Sequence, residues 1–208
     1  MKRTKNIVFW LGLLGALVFV IVSIWGGIRL EDYSVFSQYI SETYATGIEG
    51  AAPLRYGFIF AGICLALFAF LAPKTLPKSN GIKGAFWGIG VFYGLSTVIT
   101  GIFPCDLGCN PDMVSPSMAQ LIHNFTGSLT YMFVPFCVLA IGVIAHGWPD
   151  GKKLSAVSLG CAVIAGIFVL ILFSHLDSEI KGIYQRIIES SFIVWIIYLA
   201  FYIKNRPS

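Results

Sequence analysis

The sequence predicts an all-α integral membrane protein, a bundle of six transmembrane helices with both termini in the cytoplasm. Of the 208 residues, 57% are hydrophobic and only 12% are charged, and the mean hydropathy is +0.81. These values lie outside the range of soluble domains. Six apolar segments are each long enough to cross the roughly 30 Å hydrocarbon core of a bilayer. Basic residues are concentrated in alternate connections, which indicates the orientation.

The six spans account for most of the chain, so the sequence predicts one membrane domain over residues 1–208. The predicted spans are residues 7–27, 54–72, 84–103, 117–145, 154–174 and 183–203. The basic residues before the first span resemble the start of a signal peptide. However, the apolar run is longer than a signal peptide needs and lacks a clear cleavage site. We therefore predict an uncleaved anchor.

The connection after the first span, residues 29–50, is less apolar and rich in aromatic residues. Its larger side chains recur at helical spacing, at Tyr33, Phe36, Tyr39, Ile40, Thr43 and Tyr44. This spacing predicts a short amphipathic helix on the outer membrane surface, where tyrosine rings sit well at the level of the headgroups. The alternative is an aromatic lid that packs on the bundle.

Two later spans contain residues that affect helix packing. The third span carries Gly88, Gly90 and Gly94, and small residues let a second helix approach closely in a membrane. The fourth span contains Pro135, which predicts a kink. The connection over residues 73–84 has the Pro, Ser, Asn and Gly content of a turn.

The distribution of charge sets the predicted orientation. Ten of the fourteen basic residues fall on the inner side of the six-span arrangement, namely Lys2, Arg3, Lys5, Lys74, Lys78, Lys83, Lys152, Lys153, Lys204 and Arg206. Because lysine and arginine resist translocation, both termini are expected in the cytoplasm. Nine of the ten acidic residues, all but Asp150, fall on or near the outer side. Acids contribute little to topology, so this bias indicates cation binding, pairing with Arg55 and Arg186, or catalysis.

A polar stripe runs along the fourth predicted span. Gln120, Asn124 and Tyr131 share one helix face, with His123 and Ser128 beside them. Polar groups without partners are costly in hydrocarbon, so this face should point into the bundle or a wet cavity. The stripe therefore predicts the functional site.

The cysteines fall into two groups. Cys64, Cys137 and Cys161 lie inside spans, where they are small apolar fillers. Cys105 and Cys109 flank an outer turn, and in an oxidising compartment we predict a structural disulfide that closes a five-residue loop. The alternatives are a metal site, although two thiols do not complete a zinc shell, and a redox-active pair, although the spacing is not C-x-x-C.

Four sequence motifs of this chain resemble those of a known family. They are SQYISE at residues 37–42, GIFPCD at 101–106, His123, and GIYQRIIESSFIVW at 182–195. Their order across six spans resembles the membrane-protein family called domain of unknown function 998. The resemblance implies a multi-pass bacterial or archaeal membrane protein without an assigned activity, here placed in the bacterial cytoplasmic membrane. When the family's motifs are matched position by position to this sequence, the resemblance singles out Ser41, Glu42, Pro104, Asp106, His123, Gly182 and Arg186.

These residues and the polar stripe converge on one predicted surface at the outer side. Arg186 and Glu189 are three apart on one face of the sixth span. Glu189 lies deep enough to need a partner, and Arg186 is the nearest candidate. The pair is either a structural ion pair or part of the site. His123 is likewise either a hydrogen-bonded structural residue or a functional one.

Three function classes fit this surface. In the first, Asp106, His123 and His175 bind a divalent metal such as zinc for hydrolysis of a lipid or small substrate, with Glu42 or Glu189 as base and Arg186 in the catalytic set. The second is a small-solute or proton-coupled transporter. The third is a sensor or assembly partner. The expected partners are membrane lipids and a lipid or small molecule at the outer face. No nucleotide motif is present, and the basic residues are not a nucleic-acid surface.

Overall fold

The computed structural model describes residues 2–206, and this part of the chain is helical, without strands. Six long helices are present in it: α1 (Lys2–Arg29), α2 (Ala52–Leu71), α3 (Asn80–Ile102), α4 (Met118–His146), α5 (Lys152–Ser174) and α6 (Lys181–Asn205). Each is long and apolar enough to cross a membrane. The prediction of a six-helix, multi-pass membrane protein is confirmed.

The helices form a closed ring in chain order. Each helix packs beside the next, and α6 packs against α1. The ring encloses large side chains that are almost fully buried, among them Phe58, Phe86, Phe192 and Trp195. The indole N–H of Trp195 donates to the Ser158 hydroxyl at 2.8 Å, so this buried polar group is satisfied.

Helices α2 and α3 touch backbone to backbone. A Cβ atom added to Gly94 would lie 2.4 Å from the amide nitrogen of Ala66, and one added to Gly62 would lie 2.7 Å from the Gly94 carbonyl oxygen. Only glycine allows this approach. The glycine-rich third span thus brings a second helix close, as the sequence predicts.

A π-helical segment, Gly90–Leu95, interrupts α3. Hydroxyl groups bond to its carbonyl groups: Thr130 on α4 donates to the Phe92 carbonyl at 2.5 Å, and Thr97 donates to the Tyr93 carbonyl at 2.8 Å. Such segments occur frequently at functional sites. The segment carries Tyr93 toward the interior, where the tyrosine is 1% exposed.

Residues 30–51, 103–117 and 175–180 connect the helices at one end of the bundle, which we call the pocket end. The short amphipathic helix predicted in the first connection is present only as a five-residue 3₁₀ helix, Ile40–Tyr44. The 3₁₀ helix is buried rather than spread on the surface. The alternative interpretation, an aromatic lid packed on the bundle, describes this segment better.

Arginine side chains explain why residues 30–51 do not need a helix longer than Ile40–Tyr44. Arg55 donates to the carbonyls of Tyr44 and Ala45 at 2.9 and 2.8 Å, and Arg186 donates to those of Val35 and Gln38 at 3.0 and 2.9 Å. These bonds satisfy carbonyl groups that a helix would otherwise pair internally. The segment can therefore pack on the bundle without forming a regular helix.

Candidate functional site

A cavity of about 320 Å³ lies at the pocket end, lined by residues of all six helices and of the 3₁₀ helix. This volume is at the lower end of the range typical of small-molecule sites. The cavity is lined by aromatic rings and by polar groups from the predicted stripe, including His123, Asn124, Ser128 and Tyr131. The stripe therefore faces a cavity inside the bundle.

Glu189 lies in the lining of this cavity, on α6, and is 8% exposed. Its two carboxylate oxygens accept hydrogen bonds from two tyrosines. Tyr131 on α4 donates to Oε1 and Tyr93 on α3 donates to Oε2, each at 2.9 Å. Within residues 2–206, no basic side chain forms an ion pair with it. The carboxyl group is thus held by neutral donors from two other helices.

A chain of hydrogen bonds fixes the direction of the Tyr131 hydroxyl. The amide N–H of Ile40 donates to Gln185 Oε1 at 2.7 Å, and an N–H can only donate. The Gln185 Nε2 group therefore faces Tyr131 and donates to its oxygen at 3.0 Å. The tyrosine's own proton is then directed at Glu189. This arrangement makes Oε1 of Glu189 an acceptor and links the site to the 3₁₀ helix.

The predicted pairing of Arg186 with Glu189 is wrong. Arg186 extends toward the pocket end and donates to the carbonyls of Val35, Gln38 and Gly182 and to the Tyr33 hydroxyl. The irregular backbone there offers acceptors closer to water than the buried carboxylate does. Pairing with Arg55 and Arg186 is one of three explanations for the outer acids, and both arginines bond to carbonyl groups instead.

His123 lines the cavity and is also tied to the backbone. Its Nδ1 lies 3.0 Å from the Phe103 carbonyl oxygen. A carbonyl oxygen only accepts, so Nδ1 carries a proton. The ring lies beside that of Tyr44, with centroids 6.3 Å apart. The hydrogen bond agrees with the structural interpretation of His123, while the functional interpretation stays a prediction for a residue of the cavity wall.

Asp106 caps the start of α4 and is not among the cavity-lining residues. It accepts from the Ser117 amide at 3.0 Å and from the Ser117 hydroxyl at 2.6 Å. These two bonds hold the pKa of the Asp106 carboxyl below its usual value, and the bond from the Ser117 backbone amide has the larger effect. Its own amide donates to Gln120 at 2.7 Å. Gln120 in turn donates to the Cys109 carbonyl at 3.0 Å, so both residues position the cysteine loop.

Glu42 also has a local role. Its carboxylate accepts from the Tyr39 amide at 2.8 Å and from Gln38 Nε2 at 2.9 Å, which caps the 3₁₀ helix. It is not among the residues that line the cavity. The geometry therefore favours a structural role over the catalytic role predicted for it.

The three predicted metal ligands are not brought together. His175 is exposed at the end of α5, with Nδ1 3.1 Å from the Ile171 carbonyl oxygen, while Asp106 is engaged with Ser117 and His123 with Phe103. Across residues 2–206, no group of three or more His, Cys, Asp or Glu residues is arranged to hold a metal ion. The physical reason is that Asp106 and His175 each bond to the end of a helix.

Cys105 and Cys109 form a bonded pair, with Cα atoms 4.8 Å apart. The Cys105 carbonyl accepts from the Thr46 amide at 2.7 Å, and the Ser41 hydroxyl lies 3.2 Å from Cys109 Sγ. Ser41 and Cys109 also line the cavity. The pair thus lies where two connections meet at the pocket end, in agreement with the structural disulfide predicted from the sequence.

Sequence reasoning misses several cavity residues, among them Tyr93, Tyr44 and Gln185. Tyr93 is hidden in the glycine-rich third span, and its π-helical setting has no simple sequence signal. The helical spacing of residues 29–50 assigns Tyr44 to a surface helix instead. Gln185 lies one turn before Glu189, and this i, i+4 relation of two polar side chains inside a span is the available signal.

Comparison with known proteins identifies a family. A family model described as "Protein of unknown function (DUF998)" matches residues 13–202, which is nearly the whole chain. This match confirms the resemblance inferred from the sequence motifs. No curated protein and no solved structure matches the chain.

Proposed function

Because the chain belongs to the DUF998 family, whose description assigns no activity, we propose its function from the cavity: it binds a small amphipathic molecule or lipid in the outer half of the bacterial cytoplasmic membrane. The observation that carries this proposal is a carboxyl group, Glu189, held by two tyrosines in the lining of an otherwise largely apolar cavity. Ligand sites combine apolar walls with a few placed polar groups in this way.

The outward orientation of the pocket end rests on the distribution of basic residues. Lysines and arginines lie mostly in the chain ends and connections at the opposite end of the bundle, which is expected on the cytoplasmic side. In a variant whose free cysteines Cys64, Cys137 and Cys161 are alanine, Glu179→Cys should react with a membrane-impermeant thiol reagent in intact cells. Lys78→Cys should react only after lysis. The reverse pattern would place the cavity on the cytoplasmic side.

A second candidate function is acid–base catalysis on a bound lipid or small substrate. The observation in its favour is that two titratable groups, His123 and Glu189, line one cavity. A metal-dependent version would require Asp106 and His175 to leave their present hydrogen-bond partners. Catalysis would need the same bound ligand, so binding is the first property to test.

Gly127 offers a direct way to fill the cavity. It lies in the cavity lining on α4, and a Cβ atom added to it meets nothing within 4 Å. Gly127→Leu should therefore occupy the space of the ligand without disturbing the fold. We expect wild-type protein, extracted with its lipids in polymer nanodiscs, to carry a bound molecule that Gly127→Leu lacks, as measured by mass spectrometry of solvent extracts.

Gly160→Leu is the matched control, because Gly160 is an exposed position on α5 where an added Cβ also meets nothing within 4 Å. It should retain the molecule at the wild-type level. Identical extracts from the wild type and both variants, after normalisation to protein, would contradict a ligand-binding role for this cavity.

A further inference from the structure

The charge of the cavity lining is unbalanced. Among the described residues that line the cavity, Glu189 is the only acidic one, and none is a lysine or an arginine. His123 contributes a ring whose Nδ1 proton is directed at the Phe103 carbonyl. A buried carboxylate is costly when nothing nearby compensates its charge. A ligand that carries a positive charge would therefore compensate the charge of Glu189.

The hydrogen bonds around Glu189 favour its charged form. The chain from Ile40 through Gln185 directs the Tyr131 proton at Oε1. A proton on the carboxyl group would have to sit on Oε2, where the Tyr93 hydroxyl now donates at 2.9 Å. Each oxygen of a carboxylate has two lone pairs, so each can still accept from a ligand.

The cavity wall is built from contiguous aromatic rings. The Tyr44 and Phe58 ring centroids are 4.7 Å apart, those of Phe58 and Phe19 are 5.3 Å apart, and those of Phe19 and Tyr93 are 6.2 Å apart. All four rings line the cavity. Aromatic faces attract cations, and groups of such rings are a recurrent site for ammonium groups. The wall and the carboxylate therefore favour the same kind of ligand.

We propose that the ligand of this cavity is an organic cation, a molecule with an ammonium group beside an apolar part. This proposal rests on the proposed binding function and specifies its ligand class. The ammonium group lies against the rings and within the field of Glu189, and the apolar part occupies the rest of the cavity. The ammonium group belongs either to a lipid headgroup or to a free amine.

The test uses small thiol reagents of opposite charge as probes. Gly127→Cys is made in the background that lacks the free cysteines Cys64, Cys137 and Cys161, which places one thiol in the cavity. The reagents are a trimethylammonium methanethiosulfonate and a sulfonate methanethiosulfonate, applied to intact cells, with rates normalised to reaction with free mercaptoethanol. We expect the cationic reagent to react about tenfold faster or more, because the local field concentrates cations.

Glu189→Gln, added to this background, should reduce the preference to near unity, since glutamine keeps the shape and loses the charge. Glu179→Gln removes the same charge from an exposed position at the pocket end and should leave the preference unchanged. Equal rates for the two reagents while Glu189 is intact would overturn the proposal, and this result does not depend on how the glutamine variant folds. Failure of both reagents to reach the introduced thiol would instead contradict the outward-opening cavity of the proposed function.

The two sources of the ammonium group are separated by protection of the same thiol in purified protein. Slower labelling by the cationic reagent in the presence of tetramethylammonium supports a free amine. Slower labelling in nanodiscs of phosphatidylethanolamine than in nanodiscs of phosphatidylglycerol supports a lipid headgroup. The absence of protection in both arms would overturn the proposal.

Discussion

Replacing Gly182 by alanine should lower the free energy of unfolding by about 2 kcal/mol or more. An added Cβ would lie 2.4 Å from the Gln38 carbonyl oxygen, 2.7 Å from that of Val35 and 2.8 Å from that of Phe36. All three atoms are backbone, so no side chain can rotate away to relieve the overlap. The connection would have to lift from α6, and the bond from the Ile183 amide to the Phe36 carbonyl, 3.2 Å long, would be lost. Unfolding by SDS titration of the purified protein measures the change.

Gly166→Ala is the control for this substitution. Gly166 lies within α5, where an added Cβ meets nothing within 4 Å. Because alanine favours a helix over glycine, this variant should gain up to about 1 kcal/mol. If Gly182→Ala were as stable as Gly166→Ala, the close packing of residues 30–51 on the start of α6 would be wrong.

Arg186→Lys should destabilise the protein by about 2 to 4 kcal/mol although it keeps the charge. The guanidinium donates to three carbonyls and to the Tyr33 hydroxyl. The three carbonyls bond to Nη1 and the Tyr33 hydroxyl bonds to Nη2, so a lysine ammonium, which is a single point on a shorter side chain, cannot serve both groups of acceptors. We expect faster proteolysis within residues 30–51 as well as a lower unfolding free energy.

Arg206→Lys provides the same chemical change at the opposite end. Arg206 pairs with Asp150 at 3.0 Å in a partly exposed ion pair, and such pairs contribute less than about 1 kcal/mol. Its effect should be small, and residues 30–51 should resist protease as in the wild type. A loss for Arg186→Lys as small as that for Arg206→Lys would mean that Arg186 acts through its charge alone.

The six helices could be predicted because hydrocarbon imposes a strong rule on the chain. Every backbone group in the membrane interior must be paired within the segment, so a long apolar run becomes a helix. The same rule locates the polar face of α4, since His123, Asn124 and Tyr131 have to avoid lipid. The cavity lies along that face.

The partners of the charged residues could not be predicted from helix geometry. Spacing places Arg186 and Glu189 on one face of α6, which makes an ion pair the simplest expectation. A long arginine side chain instead reaches the carbonyls of an irregular connection, whose path depends on tertiary packing. The prediction that Asp106, His123 and His175 form a metal site fails for a similar reason. The sequence shows on which side of the membrane each residue lies, but not the hydrogen bond that it makes.

The π-helical segment Gly90–Leu95 has a consequence for how α3 is drawn on a helical wheel. An α-helix turns by about 100° per residue, and one wide turn offsets the wheel by about one residue. Ser96 and the residues after it therefore point a quarter turn or more away from the directions that a regular wheel assigns. Shortening the segment by one residue would restore the regular wheel and rotate half of the helix against its neighbours. The number of residues in this segment is thus expected to be conserved more strictly than the identity of its exposed side chains, Val91 and Leu95.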